Sequence, residues 1–136
     1  MPRQTPPMAY FGGKTRLAPR IAGMLPAHGH YVEPFAGSLA VLLTKPISRM
    51  ETVNDLDGDL MTFWRVLRDR PTELARVCAL TPHSRAELIE AQNVSDHADL
   101  DDLERARLVW VAHQPRTRRN PPQDRMAALH RPHRDG

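Results

Sequence analysis

The turn Pro34-Phe35-Ala36-Gly37-Ser38 and the acid Asp55, 18 positions after Gly37, are residues whose types and spacing could do chemistry. Each ends a short strand-like run, Tyr31-Val32-Glu33-Pro34-Phe35 and Glu51-Thr52-Val53-Asn54-Asp55. In open α/β sheets a ligand binds beyond the carboxyl ends of the strands. A glycine in the first strand-to-helix turn lets it reach the backbone, and an acid about 20 residues on takes ribose hydroxyls. A dinucleotide site needs three glycines in that turn, and this turn has one, which speaks against a pyrophosphate loop. A nucleoside without phosphates fits better. S-adenosylmethionine is such a ligand, and its sulfonium and ammonium charges suit the acids Glu33 and Asp55 and an aromatic ring such as Tyr10. A plain turn at Gly37 and an exposed loop acid at Asp55 fit these two features equally well.

Gly12-Gly13-Lys14-Thr15 resembles the end of a phosphate-binding P-loop. That loop needs a glycine five positions before Gly13, where Met8 stands, and a strand ahead of it. The turn reads instead as a helix entry with a solvated lysine. A nucleotide-binding enzyme using this turn stays as an alternative.

Positioning these groups requires a strand–turn–helix–strand unit, which implies a parallel sheet covered by helices, an α/β fold. Lys14 to Leu25 carries Leu17, Ile21, Met24 and Leu25 at helical spacing, with Pro19 in its first turn and Pro26 at its end. Ser38 is a natural N-cap for a helix through Leu39, Val41, Leu42 and Leu43, stopped by Pro46. Further on, Leu60, Phe63, Trp64 and Leu67 form an i, i+3, i+4, i+7 stripe. Pro71-Thr72 opens a short helix bearing Leu74, Val77 and Cys78, and Ser84 with Glu87 matches a capping box before Leu88 and Ala91. After an acidic connector, Asp96 to Asp102, a last apolar face carries Leu103, Ala106, Val109 and Trp110. Pro2, Pro6 and Pro7 predict an extended, mobile start. Past His113 no period of 2 or 3.6 remains, so residues 114–136 read as an unstructured Arg/Pro-rich tail that cannot bury a core.

Composition limits the function classes. At 136 residues, 40% hydrophobic and 26% charged, the chain is one soluble domain's worth. No apolar run nears the roughly 20 residues of a membrane span, and the first residues lack a signal peptide's apolar stretch, so a cytoplasmic protein is expected. The single Cys78 excludes an internal disulfide and any multi-Cys zinc site; no metal is expected. The net charge of +3 invites a nucleic-acid reading. However, residues 1–114 hold 13 Lys+Arg against 14 Asp+Glu, whereas residues 115–136 hold six Arg against two Asp. The basicity belongs to the tail, and a non-catalytic nucleic-acid-binding protein using that tail is the second alternative.

Tyr10-Phe11-Gly12-Gly13-Lys14, Val32-Glu33-Pro34-Phe35-Ala36-Gly37-Ser38 and Val53-Asn54-Asp55-Leu56-Asp57, in that order and spacing, resemble the Dam-type DNA adenine methyltransferase family over residues 9–112. The resemblance implies an incomplete Rossmann-like, S-adenosylmethionine-dependent methyltransferase core with a helical addition. It implies methyl transfer from S-adenosylmethionine to the exocyclic amine of adenine in double-stranded DNA, by a monomer acting in restriction-modification or for a phage. Tyr10 and Lys14 would then contact the cofactor, the Phe35-Ala36-Gly37 turn would hold its methionine part, and Asp55 its ribose. Residues 1–69 become the N-terminal part of the catalytic domain, and residues 70–113 the start of a target-recognition segment whose Arg residues could touch phosphate.

The family works on the amine with Asp-Pro-Pro-Tyr, whose carboxylate and a backbone carbonyl accept the amine's hydrogens while its ring stacks on a flipped base. Here Thr5-Pro6-Pro7-Met8 precedes the other motifs, and Asn120-Pro121-Pro122-Gln123 has no strand before it and no aromatic after it. No residue is therefore assigned a catalytic role, and the chain is expected to be inactive. With 17 Arg to two Lys the gene is expected to be GC-rich, and back-translating from His113 in the next frame permits T-L-R-R-T-G-W-R-H-Y-I-D-P. Residues 113–136 are thus expected to be a frameshifted end on a truncated methyltransferase.

Overall fold

The computed structural model describes residues 4–115. The elements run α1 (Ala18–Met24), β1 (His30–Glu33), α2 (Ala40–Thr44), β2 (Met50–Val53), α3 (Gly58–Asp69), α4 (Pro71–Ala79), α5 (Arg85–Gln92), a 3-10 turn (Val94–Asp96) and α6 (Asp102–Ala112). Strands β1 and β2 pair in parallel, with His30 opposite Met50 and Glu33 opposite Val53. This is the parallel crossover that the strand–turn–helix–strand pattern demands, with α2 as its connection. A Rossmann-like sheet needs more strands than the two among the described residues.

Beyond Glu33 and Val53 the two strand ends stay knitted. The Asn54 N–H donates to the Glu33 carbonyl at 3.0 Å, and the Ala36 N–H donates to the Asn54 carbonyl at 2.8 Å. At the opposite end the strands are anchored by Lys45, whose side chain is 1% exposed. Its ammonium donates to the Pro46 carbonyl, the Ser48 hydroxyl and the Glu51 carboxylate at 2.8, 2.8 and 2.6 Å and lies 4.6 Å from the Tyr31 ring centre. A buried lysine is tolerated because every proton has a partner. That contact also holds the Glu51 carboxyl below its ordinary range.

The main core joins Met8, Ala36 and Leu39 to Leu60, Phe63, Trp64 and Val66 of α3, Leu74 of α4, and Ala106 and Val109 of α6. The α3 stripe thus does what its periodicity predicts. Helix α6 is buried on two sides, because Leu108 packs separately with Ala91 and Val94; the apolar face read from the sequence covers one of them. Two arginines lock α6 in place. Arg105 donates to Asp59 at the start of α3 and to the Val94 and His97 carbonyls, and Arg107 joins Glu104 to Glu87 and Thr81. Burial pushes the Cys78 thiol up to about 11, which keeps it protonated and unreactive.

Several local expectations are corrected. The first helix begins at Ala18 rather than Lys14, and Leu17 and Met24 are exposed, so the stripe there is narrower than the spacing predicts. Ser38 is not an N-cap: Leu39 occupies that position in a left-handed conformation (φ 54°) and no side chain caps α2, while Ser38 is buried. Ser84 does cap α5 by accepting the Glu87 N–H at 3.1 Å, but the Glu87 carboxylate turns to Arg107, so only half of the capping box forms. Met8 is buried in the main core, against the expectation of a mobile start. From residue 116 onward the tail expectation and the shifted frame expected over 113–136 lie outside the described residues; His113 itself is the C-cap of α6.

No helix among the described residues is long and apolar enough to cross a membrane. Leu60 is fully buried, so Leu60→Ala should cost about 3 kcal/mol in denaturant unfolding. Arg70→Ala removes only an exposed ion pair with Glu73 and should leave the midpoint unchanged.

Candidate functional site

The ends of β1 and β2 open into a cleft of about 280 Å³ lined by Tyr10, Gly12, Gly13, Lys14, Glu33, Phe35, Ala36, Gly37, Ser38, Ala40 and Asp55. All seven residues singled out from the sequence, Tyr10, Lys14, Glu33, Phe35, Ala36, Gly37 and Asp55, stand on this wall. They are not equally enclosed. Glu33 and Ala36 are buried, whereas Phe35 is 70% exposed and forms the rim.

The floor is the turn after β1. Gly37 has φ +49°, a left-handed conformation, and a Cβ there would lie 3.2 Å from the Tyr10 ring. Glycine is needed on both counts. The Gly37 N–H donates to Asp55 Oδ2 at 3.1 Å, and the Asp57 N–H donates to Asp55 Oδ1 at 3.0 Å. Each Asp55 oxygen therefore carries one backbone donor and keeps acceptor capacity toward the cleft. Behind the turn, the Trp64 indole N–H donates to the Gly37 carbonyl at 3.0 Å.

The roof comes from the N-terminal segment. The Gly13 N–H donates to the Tyr10 carbonyl at 2.9 Å, closing a turn with Gly12 at φ +74°. This turn brings Tyr10 and Lys14 over the strand ends. Burial, with the Asp55 and Asp57 charges adding to it, pushes the Tyr10 phenol above its ordinary range.

Glu33 is the enclosed acid. Burial pushes its carboxyl up, while the Tyr31 hydroxyl, donating at 3.1 Å, the Leu42 backbone amide and the Lys14 and Lys45 charges pull it part of the way back. Burial likewise pushes the Tyr31 phenol up to about 12, with the Glu33 charge and hydrogen bond adding to it. Cleft electrostatics are thus two carboxylates, Glu33 and Asp55, against one ammonium, Lys14, a balance that favours a cationic ligand over a phosphate.

A family model of the D12 class N6 adenine-specific DNA methyltransferases matches residues 10–113. The chain belongs to that family. No curated protein matches it. The match starts at Tyr10 and ends at His113, so it covers the cleft and all of α6. The match covers the same stretch as the Dam-type resemblance over residues 9–112, helical segment included.

In that segment most arginines are occupied by the fold itself. Arg70 pairs with Glu73, Arg105 with Asp59 and Arg107 with Glu87 and Glu104. Arg76 and Arg85 are exposed and make no side-chain hydrogen bond or ion pair among the described residues. Also among the described residues, no group of three or more His, Cys, Asp or Glu could hold a metal ion.

Sequence reasoning missed two residues behind the site. Trp64 was read only as an apolar stripe residue, although a buried indole N–H needs an acceptor and so points to a partner beyond its own helix. His113, stacked on Tyr10 with ring centres 5.1 Å apart, carried no signal at all.

Trp64→Phe strands the Gly37 carbonyl without its donor and should cost about 1–3 kcal/mol in chemical unfolding. For Glu33 the sign follows from its raised carboxyl: the folded chain holds the proton more tightly than the unfolded chain. Its contribution is full below the ordinary carboxyl range and is lost as pH rises through the raised value. The thermal midpoint of Glu33→Gln relative to the parent should therefore climb as pH rises above the ordinary carboxyl range; a flat difference would show that burial does not perturb Glu33.

Proposed function

We propose that the cleft binds S-adenosylmethionine and that the chain forms the cofactor side of a Rossmann-like enzyme methylating adenine in double-stranded DNA. One observation carries this reading: the three motif segments, far apart in sequence, converge on one cleft with a glycine floor, an aromatic roof and two carboxylates. The donor set fits the ligand. Glu33 and Asp55 offer negative charge to a sulfonium and an ammonium, Asp55 keeps acceptor capacity for ribose hydroxyls, and the Tyr10 ring offers a face to a cation. When bound, the cofactor supplies an electrophilic methyl group.

The chain's own residues bind and orient. The Gly37 turn brings backbone close to the ligand, Lys14 suits its carboxylate, and Trp64 and Asp55 keep the turn from moving. Neither Pro-Pro pair supports the amine chemistry. Thr5-Pro6-Pro7-Met8 leads into the buried Met8, and Asn120-Pro121-Pro122-Gln123 lies outside the described residues. The 136 residues by themselves are therefore proposed to bind cofactor without transferring the methyl group. Arg76 and Arg85 are the arginines of the helical segment left free for DNA phosphates.

Calorimetric titration with S-adenosylmethionine tests this. Binding should weaken roughly tenfold in Asp55→Ala, the loss of one good polar contact, and labelled methyl should not reach adenine-containing duplex DNA. ATP binding abolished by Lys14→Ala, without S-adenosylmethionine binding, would support the nucleotide-binding alternative. Salt-sensitive DNA binding that vanishes on deleting residues 115–136, again without cofactor binding, would support the tail-based one.

A further inference from the structure

Tyr10 supplies the cleft's aromatic wall, yet among the described residues no helix or strand precedes Ala18 to hold it. The Tyr10–Gly13 turn fixes its backbone but leaves the ring to its neighbours. Gly37 meets one edge of the ring, with Cδ1 and Cε1 nearest. The His113 imidazole stacks on it, 15° from parallel with the centres 5.1 Å apart.

Tyr10 lies in a turn, half-buried against the main core, whereas His113 closes a helix. It is the C-cap of α6, its backbone N–H bonds the Val109 and Trp110 carbonyls, and its Nδ1 lies 2.8 Å from the Val109 carbonyl. A carbonyl can only accept, so Nδ1 carries the proton and the ring plane is set. Helix α6 is itself immobilised by Ala106 and Val109 in the main core and by Arg105 and Arg107. His113 is absent from the cleft lining, so any effect it has on a ligand passes through Tyr10.

We infer that His113 is a positioning residue: from the end of α6 it holds the Tyr10 ring in place as the wall of the cleft, which couples docking of the helical segment to ligand binding. The ligand half of this inference rests on the cleft being the S-adenosylmethionine site. Loss of an aromatic pair of this kind should cost up to roughly tenfold in affinity.

The test uses the full chain with 13C-labelled tyrosine, in the parent and in His113→Ala and His113→Phe. The chain has two tyrosines, assigned by Tyr10→Phe and Tyr31→Phe. His113→Ala should move the Tyr10 ring signals toward those of an unstacked ring and leave Tyr31 in place, which reports that the fold is kept. His113→Phe should restore them. In parallel, the S-adenosylmethionine Kd should rise roughly tenfold in His113→Ala and return to within about twofold of the parent in His113→Phe. Unchanged Tyr10 signals in His113→Ala overturn the inference, as does a moved ring with an unchanged Kd. If the parent does not bind S-adenosylmethionine, the cofactor reading fails, and the Tyr10 signals still decide whether His113 holds the ring.

Discussion

Gly37 gives its N–H to the Asp55 carboxylate and takes the Trp64 indole N–H on its carbonyl, so a single residue ties together the end of β1, the end of β2 and helix α3. Behind the turn, Ala36, Leu39 and Trp64 belong to the main core, while Gly37 and Asp55 face the cleft. With Gly37 held through both its N–H and its carbonyl, the left-handed backbone at Gly37 and then at Leu39 is tolerated. For a leucine that conformation costs about 1–2 kcal/mol, which the surrounding packing has to cover. The direction in which α2 leaves the strand, and hence the shape of the cleft floor, follows from that pair of residues.

The helical segment is usually thought of as an addition to such a strand–helix unit, but here it is part of what holds the site. Trp64 reaches the turn from α3, and α3 is clamped against α6 by a shared core and by the Arg105–Asp59 pair. Pressure on α6 therefore reaches Gly37 through one helix and Tyr10 through one ring. Charge is arranged with the same economy: the arginines facing α3 and α5 are neutralised internally, and the net negative field is left at the mouth of the strands.

Much of this was legible in the sequence for a physical reason. Leu60, Phe63, Trp64 and Leu67 announce a helix because periodicity is a local property, and Gly37 with Asp55 announces a strand-end site because their spacing spans one crossover. The resemblance of three motifs to Dam-type adenine methyltransferases adds an expected ligand for such a site. What could not be read depends on contacts between residues distant in the chain. Nothing local marks Leu39 as left-handed or Met8 as buried. The capping box at Ser84 was half right because Glu87 had a better partner, Arg107, twenty residues away. Helix α6 was assigned one apolar face because sequence shows how many apolar residues there are and not that two neighbours compete for them.

The stack of Tyr10 on His113 joins the first and last residues of the family match, which makes it the contact of longest sequence separation around the cleft. On a ribosome the chain emerges from its N-terminus, so β1, β2 and the glycine turn are available well before α6 exists. Until His113 has been synthesised and has cleared the exit tunnel, Tyr10 has no imidazole to lie against. Among the described residues around the cleft, the Tyr10 wall is therefore the last to gain its neighbour.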